Sequence, residues 1–268
     1  MMGRPICSSL GTITHNASIL LDKWLQPLAK KSKFYVKNSI EFILELEEKT
    51  YLNNCYILTA DVVNLYPSIV ISDGLVQLKR ALTIDNAPPD MINLILDMCK
   101  WVLENNIIQF GDTIWRQKKG TAMGTPVAVC FSIIYLAVLE IDTFDQCSRD
   151  SKFTEPTTIK RYIDDIASVF NDYHSALLFI NTYNSIRPNS ISVISNESVF
   201  VLDIEFYKGF RLHLGKLDSR VYQKPSNQYL YIPSMSYHNP VVFKSFIEAD
   251  IKRYYLLIST QKELLTIK

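Results

Sequence analysis

Three carboxylates interrupt segments that are otherwise apolar. Asp61 closes the strand-like run Cys55-Tyr56-Ile57-Leu58-Thr59-Ala60, and the adjacent pair Asp164-Asp165 sits inside a second strand-like stretch, Thr158 to Phe170. A carboxylate in an apolar strand is costly to desolvate unless something positive meets it. A cluster of two or three Asp offers only oxygen ligands, which suits Mg²⁺, an ion that keeps several waters and takes one or two carboxylates together with substrate phosphates. Two such ions about 3.5 to 4 Å apart can activate an attacking oxygen and steady a leaving one in phosphoryl transfer. The plain alternative is that Asp164-Asp165 is a solvated corner of a hairpin, and the pair by itself does not separate the two readings.

Spacing adds to the pair. Asp61-Val62-Val63-Asn64-Leu65-Tyr66 places an aromatic five residues after the first carboxylate, about 100 residues before the second group. Between them lies Gln117-Lys118-Lys119-Gly120-Thr121-Ala122-Met123-Gly124-Thr125-Pro126, followed by a long apolar segment. Glycine lets a backbone approach a flat ligand closely, and a helix that follows presents its N-terminus, so Gly120 and Gly124 offer a surface for a template base or an incoming nucleotide. Beyond residue 207, Lys208, Arg211, Lys216, Arg220, Lys224, Lys244, Lys252 and Arg253 alternate with Tyr207, Phe210, Tyr222, Tyr229 and Tyr231. Cations with interleaved aromatics suit a phosphate backbone and stacked bases. His174 and His213 each lack a second metal-type neighbour.

The elements that must hold these residues follow from periodicity. Helices are expected over 16–29 and 38–49, with Asn16 and Asn38 as N-caps, then a strand ending at Asp61. Ser72-Asp73 and Pro88-Pro89-Asp90 each start a further helix, the second with Ile92, Ile95, Leu96, Cys99 and Val102 on one face. Ile107–Phe110 and Thr113–Trp115 flank a Gly111-Asp112 turn and read as a hairpin. The glycine-containing loop leads into a buried helix, strand pieces flank Asp164-Asp165, residues 173–186 are helical, and 192–222 gives strands broken at Asn196, Gly209 and Gly215. Such mixing predicts an α+β domain with an antiparallel sheet backed by helices.

Composition bounds the rest. The 268 residues are 48% hydrophobic and 21% charged, with 28 Lys+Arg against 27 Asp+Glu. That is globular, and it excludes disorder as the main description. The net charge of +1 is a cancellation: residues 1–207 carry 18 basic and 23 acidic side chains, residues 208–268 carry 10 and 4. The five cysteines, Cys7, Cys55, Cys99, Cys130 and Cys147, form no C-x-x-C pair, so neither a zinc site nor a disulfide framework is indicated. The charge-free run Gly120 to Leu139 holds two glycines and a proline, and its apolar remainder is short for a membrane span, which points to a core helix. With no signal-peptide pattern at the N-terminus, the expectation is an intracellular protein of nucleus or cytoplasm with no membrane partner.

Taken in order, Arg4-Pro5-Ile6-Cys7-Ser8-Ser9, Asp61-Val-Val-Asn-Leu-Tyr-Pro-Ser-Ile69, Gly120-Thr-Ala-Met-Gly-Thr-Pro126, Tyr162-Ile-Asp-Asp165, Val201-Leu-Asp-Ile204, Tyr222-Gln-Lys-Pro-Ser-Asn227 and Ser236-Tyr-His-Asn-Pro240 resemble the motifs of Penelope-like retroelement reverse transcriptases, relatives of telomerase. The resemblance implies a right-hand polymerase palm with partial fingers (1–54), palm (55–207), and primer grip with partial thumb (208–268), together one reverse transcriptase domain. It implies an RNA-directed DNA polymerase, a nucleotidyltransferase taking an RNA template, a DNA primer and dNTPs, with two Mg²⁺ ions or Mn²⁺ in their place. Asp61 and Asp164 would be the main metal ligands and Asp165 the supporting carboxylate. Tyr66 would lie under the nucleotide sugar, Gly120 and Gly124 beside the nucleotide, Arg4 at the triphosphate, and Tyr162 at the primer terminus. Lys216, Arg220 and Lys224 would meet nucleic acid. Met123 stands where many reverse transcriptases have Gln, and packing is its expected role; Asp203 is expected to be structural. Set against the family pattern the fingers and thumb are short, as in a retroelement-derived fragment, and no endonuclease module follows. The rival readings are a catalytically impaired nucleic-acid-binding protein on a palm scaffold and a DNA-templated palm polymerase.

Overall fold

The structure is a computed structural model that describes residues 8–186, 190–228 and 230–259. The chain runs through α1 (His15–Lys30), α2 (Ser39–Glu48), β1 (Tyr56–Val62), the single turn α3 (Leu65–Ser68), α4 (Ile71–Ile84), α5 (Pro89–Glu104), β2 (Ile107–Phe110) and β3 (Thr113–Arg116). It continues with α6 (Pro126–Cys147), β4 (Thr158–Tyr162), β5 (Asp165–Phe170), α7 (Tyr173–Ile186), β6 (Ser190–Ser195), β7 (Ser198–Val201), β8 (Ile204–Tyr207), a 3₁₀ turn Phe210–Leu214, β9 (Asp218–Val221) and α8 (Pro240–Leu257). Two compact units arise: Met1–Tyr35, Asp61–Phe153 and Leu178–Ile191 form one; Val36–Ala60, Thr154–Leu177 and Ser192–Lys268 form the other.

The first unit is helical and is organised by α6. Over its first 14 residues, Pro126 to Leu139, this 22-residue helix carries no charge on any side, so that stretch is stable in water only when surrounded, as helices of that kind are in protein cores. It is long and apolar enough to cross a membrane, yet 78% of its apolar window is buried inside the fold. α1 lays Leu21, Leu25 and Ala29 against it, and α4 adds Leu78, Ala81 and Leu82. The Thr125 N-cap gives α6 no side-chain bond; instead the Val127 N–H donates to Ser18 Oγ of α1 at 3.1 Å, satisfying one of the free donors of the helix start. Phe34 stacks on Phe144 with ring centroids 5.5 Å apart, and Phe179 packs tilted against Phe144 at 5.3 Å.

The second unit is built on sheet. β7, β8 and β9 pair antiparallel, with Val201↔Ile204 and Ile204↔Val221 in register. Phe42 and Ile43 of α2 join Ile57, Val169, Val199, Ile204, Phe206, Leu217 and Leu257 in one apolar core. The four-stranded sheet is ordered β4-β5-β1-β6. The boundary between the units falls inside β1, after Ala60.

The α+β class holds, and so do most elements, with four differences. α1 begins at His15 with Thr14 at the N-cap, so Asn16 lies within the first turn and caps nothing. α8 is a helix where only a basic tail was expected; Asn239, whose side chain accepts from the Val241 N–H, and Pro240 start it. α3 was not anticipated because one turn carries no periodicity. β7 and β8 part at Leu202-Asp203, a break with no Gly or Asn to announce it, where Leu202 takes φ +54°.

Candidate active site

Asp61 is the penultimate residue of β1, a strand whose Ile57, Leu58, Ala60 and Val62 are buried while the carboxylate is exposed. β1 lies next to β5, and β5 begins at Asp165. The β4–β5 hairpin closes on the pair Tyr162↔Asp165, so Ile163 and Asp164 form a two-residue turn. Adjacent strands therefore deliver the three carboxylates to one end of the sheet. A ligand oxygen from each of Asp61, Asp164 and Asp165 lies within 4.8 Å of the others. The donor set is all oxygen and partly open to solvent, which fits a hard divalent cation that retains water.

The turn that presents Asp164 is strained. Ile163 sits at φ +54°, a conformation that two-residue hairpins normally give to Gly or Asn and that costs a β-branched residue about 1–2 kcal/mol. It is held by Arg161. That side chain is only 1% exposed, and its Nη1 donates to the Ile163 carbonyl at 2.8 Å, while its own carbonyl accepts from the Val36 N–H. A guanidinium committed to the inside of the hairpin is the feature that motif reading passes over. Its trace in sequence is a cation at a position where β4 turns a residue inward, four places before Asp165.

Arg161 pairs with Ile166 across the hairpin, and both side chains are buried. Tyr162, half-buried beside it, lines a cleft of about 360 Å³ with Asn38, Ser39, Ile40, Leu202, Asp203, Arg253 and Leu257. Asp203 is engaged structurally: it accepts from Ser39 Oγ and pairs with Arg253.

Tyr66 lies half-buried in α3, immediately after Asn64, which is left-handed at φ +53°. Gly120 is buried at φ +74°, and a Cβ built there would fall 2.5 Å from Pro67 Cα and 2.7 Å from the Tyr66 carbonyl oxygen. The close approach that its lack of a side chain permits is to the protein's own Tyr66-Pro67 backbone. Gly124, at φ +109°, is exposed.

The basic segment is also more occupied than its composition suggests. Arg211 pairs with Glu47 at 2.5 Å and Asp218 at 3.0 Å, and Arg220 pairs with Glu205 at 2.6 Å while lying over the Tyr207 ring. Lys216 donates to the carbonyls of Glu47 and Lys49. Lys224 is exposed on a cleft of about 380 Å³ that Gln223, Asn227 and Tyr254 also line. Arg4 lies outside the described residues.

No protein-family model matches the chain, and no curated protein matches it. Solved structures do. Telomerase from Candida albicans in complex with a TWJ fragment of telomeric RNA superposes with a TM-score of 0.58 at 12% identity, over 78% of this chain and 39% of that one. Telomerase from Candida tropicalis in complex with the same kind of RNA fragment gives 0.54 at 14% identity, over 90% of this chain and 41% of that one. The RNA-dependent RNA polymerase of BmCPV at its elongation state gives 0.58 at 14% identity, over 79% and 21%. The chain thus has a polymerase palm-type fold, and it spans about two fifths of the telomerase chains and a fifth of the viral polymerase.

Proposed function

We propose that the chain is the catalytic part of an RNA-directed DNA polymerase of the Penelope-like retroelement kind. The observation that carries this is the meeting of Asp61 with Asp164 and Asp165, about 100 residues apart in sequence, within 4.8 Å at one end of a sheet. Palm-type neighbours that include telomerases support it. Asp61 and Asp164 would hold a pair of Mg²⁺ ions with Asp165 in support. Such ions, when bound, lower the pKa of a primer hydroxyl and neutralise triphosphate charge.

The protein's own groups do the rest. The buried Arg161 fixes the turn carbonyl and so the direction in which Asp164 leaves the hairpin. Tyr162, next to that turn, lies where a primer end would meet the carboxylates. Tyr66 lies under the sugar and disfavours a 2′-hydroxyl, which separates dNTP from NTP substrates. Lys224, exposed beside a polar cleft, meets backbone phosphate. Base pairing reads the template while the protein reads its shape.

The test is primer extension on poly(rA)/oligo(dT) with Mg²⁺, with Asp164→Asn as control. Incorporation of dTTP by the parent and none by the variant is expected. Equal signal from both proteins, or binding of primer–template with no extension by either, overturns the assignment; the second outcome is that of a binding protein on a palm scaffold. Because the neighbours include both telomerases and RNA-dependent RNA polymerases, a parallel reaction with NTPs and with a DNA template fixes the product and template class.

A further inference from the structure

Tyr66 stands on a support too small to fix it. α3 is a single turn, and its four residues cannot make the hydrogen bonds that would hold an isolated helix. The Leu65 carbonyl is met from within the turn by Ser68 Oγ at 2.8 Å, whereas the Tyr66 carbonyl finds its donors elsewhere. Two donors of one residue converge on the Tyr66 carbonyl: the Thr121 N–H at 2.8 Å and Thr121 Oγ1 at 3.2 Å. Thr121 is 1% exposed. Directly before it, Gly120 presses its Cα side against the backbone of Tyr66 and Pro67, at a separation where any Cβ would collide with main-chain atoms that no rotamer change can move aside.

The clamp is itself anchored. Gln117 Nε2 donates to the Lys119 carbonyl at 2.7 Å and to the Thr121 carbonyl at 3.3 Å, and the Gln117 N–H donates to the Asn106 carbonyl at 2.9 Å at the base of the β2–β3 hairpin. Asn106 is buried and donates from its side chain to the Leu103 carbonyl at the end of α5. A continuous set of bonds therefore runs from α5 through Gln117 and the glycine loop to the backbone of Tyr66. All of it lies within the first unit.

We propose that Gly120 and Thr121 are positioning residues for sugar selection: they fix the backbone of Tyr66, so the loop, rather than the one-turn helix, sets the height of the aromatic ring at the nucleotide site. This rests on the proposed polymerase function. Gly120→Ala displaces the Tyr66-Pro67 backbone, because contacts under 3.0 Å to main-chain atoms must be relieved by movement of that chain. Thr121→Val keeps the shape and removes one of the two donors; Thr121→Ser keeps both.

The experiment measures kcat and KM for dTTP and UTP on poly(rA)/oligo(dT) for the parent, Gly120→Ala, Thr121→Val and Thr121→Ser, with circular dichroism and melting to confirm folding. The dTTP:UTP ratio of kcat/KM is expected to fall about tenfold or more in Gly120→Ala and severalfold in Thr121→Val, mainly through a lower KM for UTP, with Thr121→Ser close to the parent. Folded variants that keep the parental ratio overturn the proposal, as do variants that lose both substrates in equal proportion, since that is what a merely structural role produces. Should Gly120→Ala fail to fold, the Thr121 pair still decides. A parent that extends with neither substrate sinks the polymerase reading itself, and that result is visible before any variant is compared.

Discussion

Removing one negative charge from the carboxylate cluster should stabilise the metal-free protein, and Asp61→Asn is the cleanest way to do it. The Asp61 side chain is exposed and makes no hydrogen bond or ion pair among the described residues, so the isosteric amide loses no contact. Its ligand oxygen lies within 4.8 Å of those of Asp164 and Asp165. At that separation two unit charges repel by about 3.5 kcal/mol at an effective dielectric of 20 and about 0.9 kcal/mol at that of water. With Asp61 solvated the lower figure applies, about 1 kcal/mol for each of its two pairs, and the repulsion vanishes when unfolding carries the residues apart. The variant should therefore melt about 4–8 °C above the parent in EDTA at low salt, a gap that closes as added salt screens the charges. Mg²⁺ works the other way: at a hundredfold excess over Kd it stabilises the parent by about 2.7 kcal/mol, and a site lacking one carboxylate gains less. Scanning calorimetry of both proteins in EDTA and in Mg²⁺ checks the pair of effects. A parent whose melting ignores Mg²⁺, or a variant less stable than the parent in EDTA, refutes the reasoning.

Arg161→Met leaves the Ile163 carbonyl without its donor, and should cost about 1–3 kcal/mol and raise the Mg²⁺ concentration needed for half-maximal thermal stabilisation; a lower melting point with an unchanged Mg²⁺ midpoint would make Arg161 only a core residue. At Asp172 burial acts to raise the pKa, but hydrogen bonds from the Thr154 hydroxyl and from the Ser175 N–H and hydroxyl outweigh it and hold the carboxyl below its usual range. A lowered folded-state pKa stabilises above the unfolded value and is lost as pH falls through the folded one, so Asp172→Ala, which also removes the cap of α7, should cost about 1 kcal/mol near pH 7, with the gap to the parent closing below about pH 4 in pH-dependent melts. Burial pushes the Cys99 thiol up to about 12 and raises Cys55, Cys130 and Cys147 as well. In a Cys7→Ser background, a disulfide-exchange reagent at pH 8 should therefore label none of the four within minutes until denaturant is added; rapid labelling of the folded protein would contradict their burial.

Patterns that a few neighbouring residues decide were legible in sequence. The Gly111-Asp112 hairpin, the Asn38 cap and the amphipathic faces of α4 and α5 each depend on residue types a few places apart, and all stand in the structure. The carboxylate cluster was legible because its members break apolar strands. What stayed hidden depends on a partner distant in sequence. Asn16 is the local exception: it looked like a cap, but the preceding turn is fixed by Ser9, Thr12 and Thr14, which bond among themselves and bring the helix start forward. Leu202 and Ile163 turn hairpins without turn residues, because the strands they join are pinned by the core on both sides. Gly120 announced a close approach and gave no hint of what approaches.

Charge shows the same dependence. Ten cations after residue 207 read as a surface for a polyanion, yet Arg211, Arg220 and Arg253 are turned on Glu47, Glu205 and Asp203, acids from the earlier, negative part of the chain. The two opposed halves that cancel in the net charge thus also meet in space within the second unit. Lys224 and Lys252 there, and Arg116, Lys118 and Lys119 in the first unit just before the loop that clamps Tyr66, are among the cations that face outward without an acidic partner among the described residues. A phosphate contact contributes to binding only if its cation is free to release a counterion, so under the proposed function exposed residues such as these count for more than the total in the tail. The internally paired arginines instead fasten α2 to the 3₁₀ turn and β9, β9 to β8, and α8 to the Leu202-Asp203 turn.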